Sequence, residues 1–210
     1  MRPKYGMIID ASICINCKAC IVACQLENDV PPDFTRAWIK ETSLNNGTKV
    51  NFQPGNCMQC DMPTCVDACP VNATYKGKDG RVIIDPLLCI GCGLCIPACP
   101  YGARFLHPYR DIADKCDFCG HRLKRGLEPA CVVTCPTGVR LFGDFNDPSS
   151  RVSRLVKQGG LVRVVNTKVD TKPNIYYFKN TAPLDWPEDP ELPDPDELEE
   201  IRKMNIDERG

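Results

Sequence analysis

The chain has 210 residues, of which 16 are cysteine and only 2 are histidine, and its formal net charge is -1. Charges or prolines interrupt every apolar stretch before the roughly 18 residues that a membrane-spanning helix needs, and no apolar segment of a secretory signal follows Met1. We therefore expect no membrane span of its own, and export, if it occurs, by association with a partner.

Short regular elements are predicted along the chain, because glycine and proline together supply 34 residues and leave little room for long ones. Strands are predicted over residues 5–9, 81–84, 103–106 and 139–142. Helices are predicted over residues 19–27 and 94–98. Such short elements cannot enclose a large apolar core, so we expect something besides apolar packing to hold the fold together.

The cysteines lie beside these elements in four groups of four. In chain order the groups are Cys14, Cys17, Cys20, Cys24; Cys57, Cys60, Cys65, Cys69; Cys89, Cys92, Cys95, Cys99; and Cys116, Cys119, Cys131, Cys135. The third group reads C-x2-C-x2-C-x3-C-P, the bacterial ferredoxin pattern. The first has Gln25 in place of the proline, and the second and fourth each widen one gap. This recurrence is an internal repeat that organises the chain.

Three kinds of site compete for these cysteines. Disulfides suit a secreted chain with an even number of cysteines, but three cysteines at intervals of three residues make a poor disulfide framework. Structural zinc sites use C-x2-C in two separate pairs. Three cysteines at i, i+3 and i+6 fit three corners of a cubane, so we predict four [4Fe–4S] clusters.

The charge distribution agrees with this prediction. Residues 1–180 carry a net charge of +7, whereas residues 181–210 carry -8. The basic excess would suit nucleic acid, but four negatively charged clusters would offset it equally well. We therefore predict no nucleic-acid partner.

The groups are expected to pair, because the fourth cysteine of such a run binds the other cluster in two-cluster ferredoxins. The second and third groups are close in the chain and are predicted to form one module. The first and fourth groups then pair by elimination. The predicted ligand sets are Cys57, Cys60, Cys65 and Cys99 for cluster A; Cys89, Cys92, Cys95 and Cys69 for cluster B; Cys14, Cys17, Cys20 and Cys135 for cluster C; and Cys116, Cys119, Cys131 and Cys24 for cluster D.

These residues resemble the four-cluster iron–sulfur subunit of the complex iron–sulfur molybdoenzymes, which include polysulfide, thiosulfate, tetrathionate and dimethyl sulfoxide reductases. The resemblance covers roughly residues 5–180 and is carried by Ile8-Ile9-Asp10, Cys99-Pro100-Tyr101-Gly102-Ala103-Arg104, Lys115-Cys116 to Arg122, Pro129-Ala130-Cys131 through Cys135-Pro136, Gly143-Asp144 and Asp147-Pro148. The short chain is most similar to the polysulfide or thiosulfate type. Some members replace the residue equivalent to Cys92 and hold a [3Fe–4S] centre, so its presence implies four [4Fe–4S] clusters here.

The resemblance implies an electron-transfer subunit that is not an enzyme by itself. Its partners would be a molybdopterin catalytic subunit beside clusters C and D, and a quinone-reactive membrane subunit beside clusters A and B. Membrane association would be through that partner, on the outer face by co-export or on the cytoplasmic face. A freestanding soluble polyferredoxin is the alternative function, and a structural zinc protein is a third.

The predicted fold is α+β, with one ferredoxin-like module inserted in another. The outer module comprises residues 1–50 and 107–180, the inserted module comprises residues 51–106, and residues 181–210 form an acidic proline-rich tail. That tail is predicted either to keep the chain soluble or to order against a partner, with a short helix over 195–206.

Several residues near the cysteines have two interpretations. The cations Lys18, Arg104, Lys115, Arg122 and Arg140 either raise cluster potentials or solvate the surface. His107 and His121 are predicted to lie at the surface or to support the ligands, since sixteen thiolates already account for four cubanes. Trp38 and Tyr101 are predicted to pack rather than to relay electrons.

Overall fold

The computed structural model describes residues 2–44, 46, 49–164 and 169–179. The acidic tail and its predicted helix lie outside the described residues. The strands are β1 (Tyr5–Ile9), β2 (Ala37–Leu44), β3 (Lys49–Asn56), β4 (Thr74–Lys76), β5 (Val82–Ile84), β6 (Phe105–Leu106), β7 (Ala113–Asp114), β8 (Arg140–Asp144), β9 (Leu161–Val162) and β10 (Ile175–Phe178). The helices are α1 (Ala19–Asn28), α2 (Thr64–Asp67), α3 (Gly120–Leu123), α4 (Ala130–Val133) and α5 (Arg151–Gln158), with a 3₁₀ turn at Ala11–Ile13.

A four-stranded sheet joins the two ends of the described chain. Its strand order is β8-β1-β10-β9, with β1 antiparallel to β8 and parallel to β10. The central strand β1 reads YGMII, and Met7, Ile8 and Ile9 have no exposed surface, which fits a strand covered on both faces. The sheet therefore places the segment just before the first cysteine group beside the segment just after the fourth.

Three two-stranded antiparallel ladders complete the strand pairing of the described residues: β2 with β3, β4 with β5, and β6 with β7. The β4–β5 ladder connects the second cysteine group to the third, and the β6–β7 ladder connects the third to the fourth. Each of these two ladders is three residues long or shorter, and pairs this short are marginal in isolation. Their position therefore depends on the cysteine loops that they link.

The core includes the cysteines as well as aliphatic residues. The main buried cluster combines residues such as Met7, Phe118 and Tyr177 with six cysteines, which are Cys20, Cys57, Cys60, Cys99, Cys116 and Cys131. A second cluster consists of Cys65, Cys95, Val82 and Ala113. The prediction that apolar packing alone does not hold the chain together agrees with this composition.

Most predicted elements are present. The strand over 5–9 and the helix over 19–27 are confirmed as β1 and α1, and those over 81–84 and 139–142 are found as β5 and β8 with shifted ends. The strand over 103–106 is shorter than predicted, since β6 covers Phe105–Leu106. The mixture of helix and strand agrees with the α+β class.

The predicted helix over residues 94–98 is wrong. This segment forms consecutive turns, in which the Ile96 N–H donates to the Gly93 carbonyl and the Cys99 N–H to the Ile96 carbonyl. Pro97 lacks an N–H and cannot make the bond to Gly93 that an α-helix requires. In the described part of the chain, no helix has the length and apolar character needed to cross a membrane.

Candidate iron–sulfur centres

The same turn opens all four cysteine groups. The residue just before the second cysteine has a positive φ of about 50–70° in each, namely Asn16, Gln59, Gly91 and Phe118. Such left-handed residues reverse the chain locally and turn consecutive backbone N–H groups towards one side, which creates a concave site for an anion. The sequence repeat is therefore also a repeat of backbone conformation.

A second shared turn follows the C-P dipeptide in three of the groups. The third residue after the fourth cysteine again has a positive φ, and its N–H donates to the carbonyl of that cysteine. The donors are Asn72, Gly102 and Gly138, at 3.4, 3.1 and 3.3 Å. In the first group Gln25 replaces the proline, and α1 continues through Cys24 to Asn28. The proline therefore decides whether the chain turns or remains helical.

One cavity combines cysteines from the first and fourth groups. It is lined by Cys14, Cys17, Cys20 and Cys135, which are the predicted ligands of cluster C, together with Arg140 and apolar side chains. The backbone N–H of Val139 donates to Cys135 Sγ at 3.4 Å. Burial acts to raise the pKa of Cys135, but this N–H and the Thr137 hydroxyl hold it below its usual value.

A second cavity also combines these two groups. It is lined by Cys24, Cys116, Cys119 and Cys131, which are the predicted ligands of cluster D. Burial, followed by the neighbouring Cys131 and Cys119, raises the pKa of the Cys24 thiol to about 12. A thiol in such a site gives up its proton when a metal cation replaces it.

The Asn28 amide sits at this second cavity. Its Nδ2 lies 3.6 Å from Cys24 Sγ and 3.6 Å from Cys119 Sγ. Donors directed at ligand sulfurs are typical of iron–sulfur sites, where they help to set the reduction potential. Cys24 and Asn28 are four residues apart on α1, so they lie on the same face of the helix.

The second and third groups also bring their predicted partners together. Burial and the neighbouring Cys57 raise the pKa of the Cys60 thiol to about 12, with Cys99 and Cys65 adding to the rise. These are the four predicted ligands of cluster A. For cluster B, Cys95 has Cys89 and Cys92 as neighbours, and Cys69 shares with Cys95 the neighbour Arg104.

The donor set fits iron–sulfur clusters. No disulfide joins any two of the sixteen cysteines. Among the described residues, no three His, Cys, Asp or Glu side chains converge closely enough to hold a single metal ion. Instead, four cysteines line each of the two cavities, which leaves space between them for a group larger than one ion. When bound, a cluster supplies a one-electron centre, and the chain holds, hydrogen-bonds and shields it.

Comparison with known proteins identifies the family. Residues 48–145 and 13–73 each match a 4Fe-4S dicluster domain. The chain is 41% identical to a polysulfide reductase chain of Wolinella succinogenes over 185 residues, which cover 86% of this chain and 96% of that protein. It is 39% identical to a tetrathionate reductase subunit of Salmonella typhimurium over 182 residues, 84% of this chain and 73% of that one. The chain belongs to the family of iron–sulfur subunits of molybdoenzyme complexes.

The protein is therefore an iron–sulfur electron-transfer subunit. A further relative, protein NrfC of Escherichia coli, is 42% identical over 178 residues, covering 82% of this chain and 79% of that protein. The matched families confirm [4Fe–4S] clusters as the kind of cofactor. They also favour the predicted function over that of a freestanding carrier.

The flanking cations of the iron–sulfur subunit fall into two classes. Lys18 and Arg122 form ion pairs with Glu41 and Glu27, each at 2.8 Å, at or near the surface. By contrast, Arg104, Lys115 and Arg140 are each at least 95% buried, so they cannot serve to solvate the surface.

The two histidines occupy different environments. His121 is an exposed partner of Glu27 at 2.7 Å. His107 is buried, and its Nδ1 accepts a hydrogen bond from the Tyr109 N–H at 3.3 Å. Tyr101 belongs to the main buried cluster, and Trp38 packs against that cluster. Both residues therefore pack, as predicted.

Sequence reasoning missed three amides near the cysteines. Asn56 and Gln59 are buried, and Asn28 is half-buried. Gln59 Nε2 donates to the Cys116 carbonyl at 2.7 Å, and its Oε1 accepts from the Val82 N–H at 2.7 Å. Gln59 thus joins the second group to the fourth. For Asn56 and Gln59 the available sequence signal is an amide directly beside a cysteine, and for Asn28 it is an amide four residues after Cys24 on α1. Both signals are too common to have been decisive.

Proposed function

We propose that the iron–sulfur subunit holds four [4Fe–4S] clusters and relays single electrons between a quinone-reactive membrane subunit and a molybdopterin catalytic subunit. The observation that carries this proposal is the pair of cavities at the first and fourth groups. Each is lined by the four cysteines of one predicted ligand set, and each draws cysteines from both groups. This supports the exchange of fourth cysteines within a pair.

The same exchange supports the inserted arrangement of modules. Strand β1 precedes the first group and β8 follows the fourth, and the two pair directly. The β4–β5 ladder connects the second and third groups in the intervening stretch. We propose residues 1–50 and 107–180 as the outer module and residues 51–106 as the inserted one.

Two apolar surfaces support contact with partners at both ends of the cluster chain. Close in the chain to the exposed Cys17 are Ile13 and Ile15, which are 42% and 60% exposed. Close in the chain to the exposed Cys92 are Ile90 and Leu94, which are 62% and 53% exposed. Apolar side chains grouped at the surface are typical of protein interfaces. Electron tunnelling slows steeply with distance, and clusters C and B are the ones with an exposed proposed ligand, Cys17 and Cys92 respectively. These two clusters are therefore the proposed points of electron exchange with the partners.

The relatives' names guide the substrate class. We propose an oxidised sulfur compound of the polysulfide or tetrathionate kind, with electrons flowing from quinol to the catalytic subunit. The subunit would reach the membrane through its partner, on the outer face by co-export. Identification of the largest subunit in the purified native complex tests this assignment.

Metal analysis tests the cofactor count. Anaerobically purified protein should contain about 16 iron and about 16 sulfide per chain, since each cubane has four of each. Zinc in place of iron, or iron sufficient for fewer clusters, would refute the proposed count. The size of the native complex separates a fixed subunit from a freestanding carrier.

Two serine variants test the order of the clusters. We expect Cys92→Ser to block exchange with quinone while dye-driven turnover at the catalytic subunit largely survives, because a dye can donate nearer the molybdenum end. We expect Cys17→Ser to impair both quinol-driven and dye-driven turnover, or to prevent docking of the catalytic subunit. Opposite phenotypes for the two variants would reverse the proposed orientation.

A further inference from the structure

Two arginines occupy equivalent positions in the internal repeat. Arg104 follows Cys99 by five residues and Arg140 follows Cys135 by five residues. Both come after the shared C-P turn, where Gly102 and Gly138 have positive φ values of 57° and 67°. The repeat therefore delivers one guanidinium to the equivalent place in each proposed module.

Both guanidinium groups are buried without a carboxylate partner. Arg104 is 5% exposed and Arg140 is 2% exposed, and neither forms an ion pair with Asp or Glu in the described part of the chain. By contrast, Arg36 pairs with Asp114 at 2.7 Å, and Arg81 pairs with Asp79 at 2.8 Å. A buried charge is strongly disfavoured unless it is paired, so the counter-charge of Arg104 and Arg140 has another source.

The cysteine sulfurs would supply that counter-charge for Arg104 once they bind a cluster as thiolates. Its Nη2 donates to Cys65 Sγ at 3.0 Å, and its Nη1 donates to Thr74 Oγ1 at 3.1 Å. Although burial acts to lower it, Cys65 and then Cys95 raise the pKa of Arg104. Its Nε is fully buried and has no hydrogen-bond partner among the described residues, which leaves a donor for a group that enters the site.

Arg140 has the corresponding environment in the outer module. Its Nη1 donates to Asn56 Oδ1 at 2.7 Å and its Nη2 to the Gly55 carbonyl at 3.1 Å, which fixes the plane of the guanidinium. It lines the cavity of cluster C. Although burial acts to lower it, Cys131 and then Cys20 raise the pKa of Arg140.

The four cysteines involved share one position in the repeat. Cys65 and Cys95 are the third cysteines of the second and third groups, and Cys20 and Cys131 are the third cysteines of the first and fourth groups. In the ligand sets of the proposed function, on which this step rests, each pair belongs to two different clusters. Arg104 contacts Cys65 and Arg140 lines the cavity of Cys20. The second cysteine of each pair is a charge neighbour of the same arginine, so each arginine lies near one ligand of each cluster in its module.

We infer that Arg104 and Arg140 are equivalent tuning residues, each of which sets the reduction potentials of both clusters in one module. Uptake of one electron adds one negative charge to a cluster, and a fixed positive charge beside its ligands favours that state. The electron comes from the preceding centre and passes to the next. An arginine side chain does not release its proton in proteins, so no proton accompanies the transfer at these residues.

An EPR-monitored redox titration of the full complex tests the inference. We expect Arg104→Gln to lower two of the four midpoint potentials, and Arg140→Gln to lower the other two. Arg163→Gln is the control, because it removes a cation that lies over the Tyr176 ring, 4.8 Å from its centroid, and should leave all four unchanged. Movement of the same pair in both variants, of one potential only, or of none would overturn the inference.

A lysine variant separates the guanidinium fork from charge alone. Arg104→Lys keeps the charge but presents one compact ammonium instead of a planar fork, so both potentials should fall less than in Arg104→Gln. If Arg104→Gln does not retain iron, Arg140→Gln decides, and any number of lowered potentials other than two in that variant would overturn the inference. The iron content and number of potentials of the unmodified complex test the proposed cluster count separately.

Discussion

Substitution of alanine for Gly91 or for Gly93 isolates a steric requirement inside the third cysteine loop. Both glycines lie between consecutive cysteines of that group, and both have positive φ, +67° and +75° respectively. A Cβ on Gly91 would lie 2.1 Å from the Asp111 carbonyl oxygen, whereas a Cβ on Gly93 would meet nothing within 4 Å. The two variants therefore share the backbone strain and differ in the clash.

The structure gives the size of each effect. A left-handed conformation costs a residue with a side chain about 1–2 kcal/mol, and this applies to both variants. Ordinary contact at 3.4 Å would require Gly91 and Asp111 to separate by a further 1.3 Å. The Asp111 turn is held by its N–H bond to the His107 carbonyl at 3.1 Å, and overpacking of this kind adds about 1–3 kcal/mol.

Positive φ alone does not explain a glycine at position 91. Asn16, Gln59 and Phe118 occupy the equivalent position in the other three loops with φ values of 55°, 49° and 60°. A side chain is therefore compatible with this turn wherever no carbonyl faces it. The close approach of Asp111 is the feature that distinguishes the third loop.

We expect Gly91→Ala to lower the free energy of unfolding by about 2–5 kcal/mol and Gly93→Ala by about 1–2 kcal/mol. Anaerobic urea unfolding measures both, and loss of visible absorbance under air measures how well the cluster beside the loop is retained. Equal losses in the two variants would refute the argument from the Asp111 carbonyl.

Three further perturbations have defined outcomes. Asn28→Leu removes the donor 3.6 Å from both Cys24 Sγ and Cys119 Sγ, so a redox titration should show one lowered midpoint potential. Burial acts to raise the pKa of Asp61, but hydrogen bonds from Lys4, Asn174 and Lys76 hold it at about 2. A carboxylate with a lowered pKa stabilises the folded state above about pH 4, and this stabilisation is lost as the pH falls towards 2. Asp61→Asn should therefore lower the free energy of unfolding equally at pH 6 and pH 8 in urea unfolding. Deletion of residues 181–210, which contain no cysteine, should leave iron content unchanged but reduce co-purification with partner subunits, and an unchanged yield of complex would assign the tail a solubilising role.

The sequence predicted β1 and α1 well, because the residues that specify these short elements are local in the chain. The predicted helix over residues 94–98 failed because Pro97 interrupts the hydrogen bonding in a segment whose apolar residues suggested a helix. The pairing of β1 with β10 was not predictable, since it joins residues about 170 positions apart without a periodic signal. Burial of Arg104 and Arg140 was equally inaccessible, because cations beside cysteines fit surface and interior positions alike.

Several cysteines of this protein belong both to the buried core and to the proposed cluster ligands. Six cysteines belong to the main buried cluster, and the β4–β5 and β6–β7 ladders that connect groups are three residues long or shorter. Replacement of one of these six cysteines therefore removes part of the core together with a proposed cluster ligand. Arg104 and Asn28 contact cysteine sulfurs, and Arg140 lines the cavity of cluster C, without being proposed ligands. Changes at these three positions can alter potentials while the ligand framework remains, which makes them the appropriate sites for measuring how the protein tunes its electron transfer.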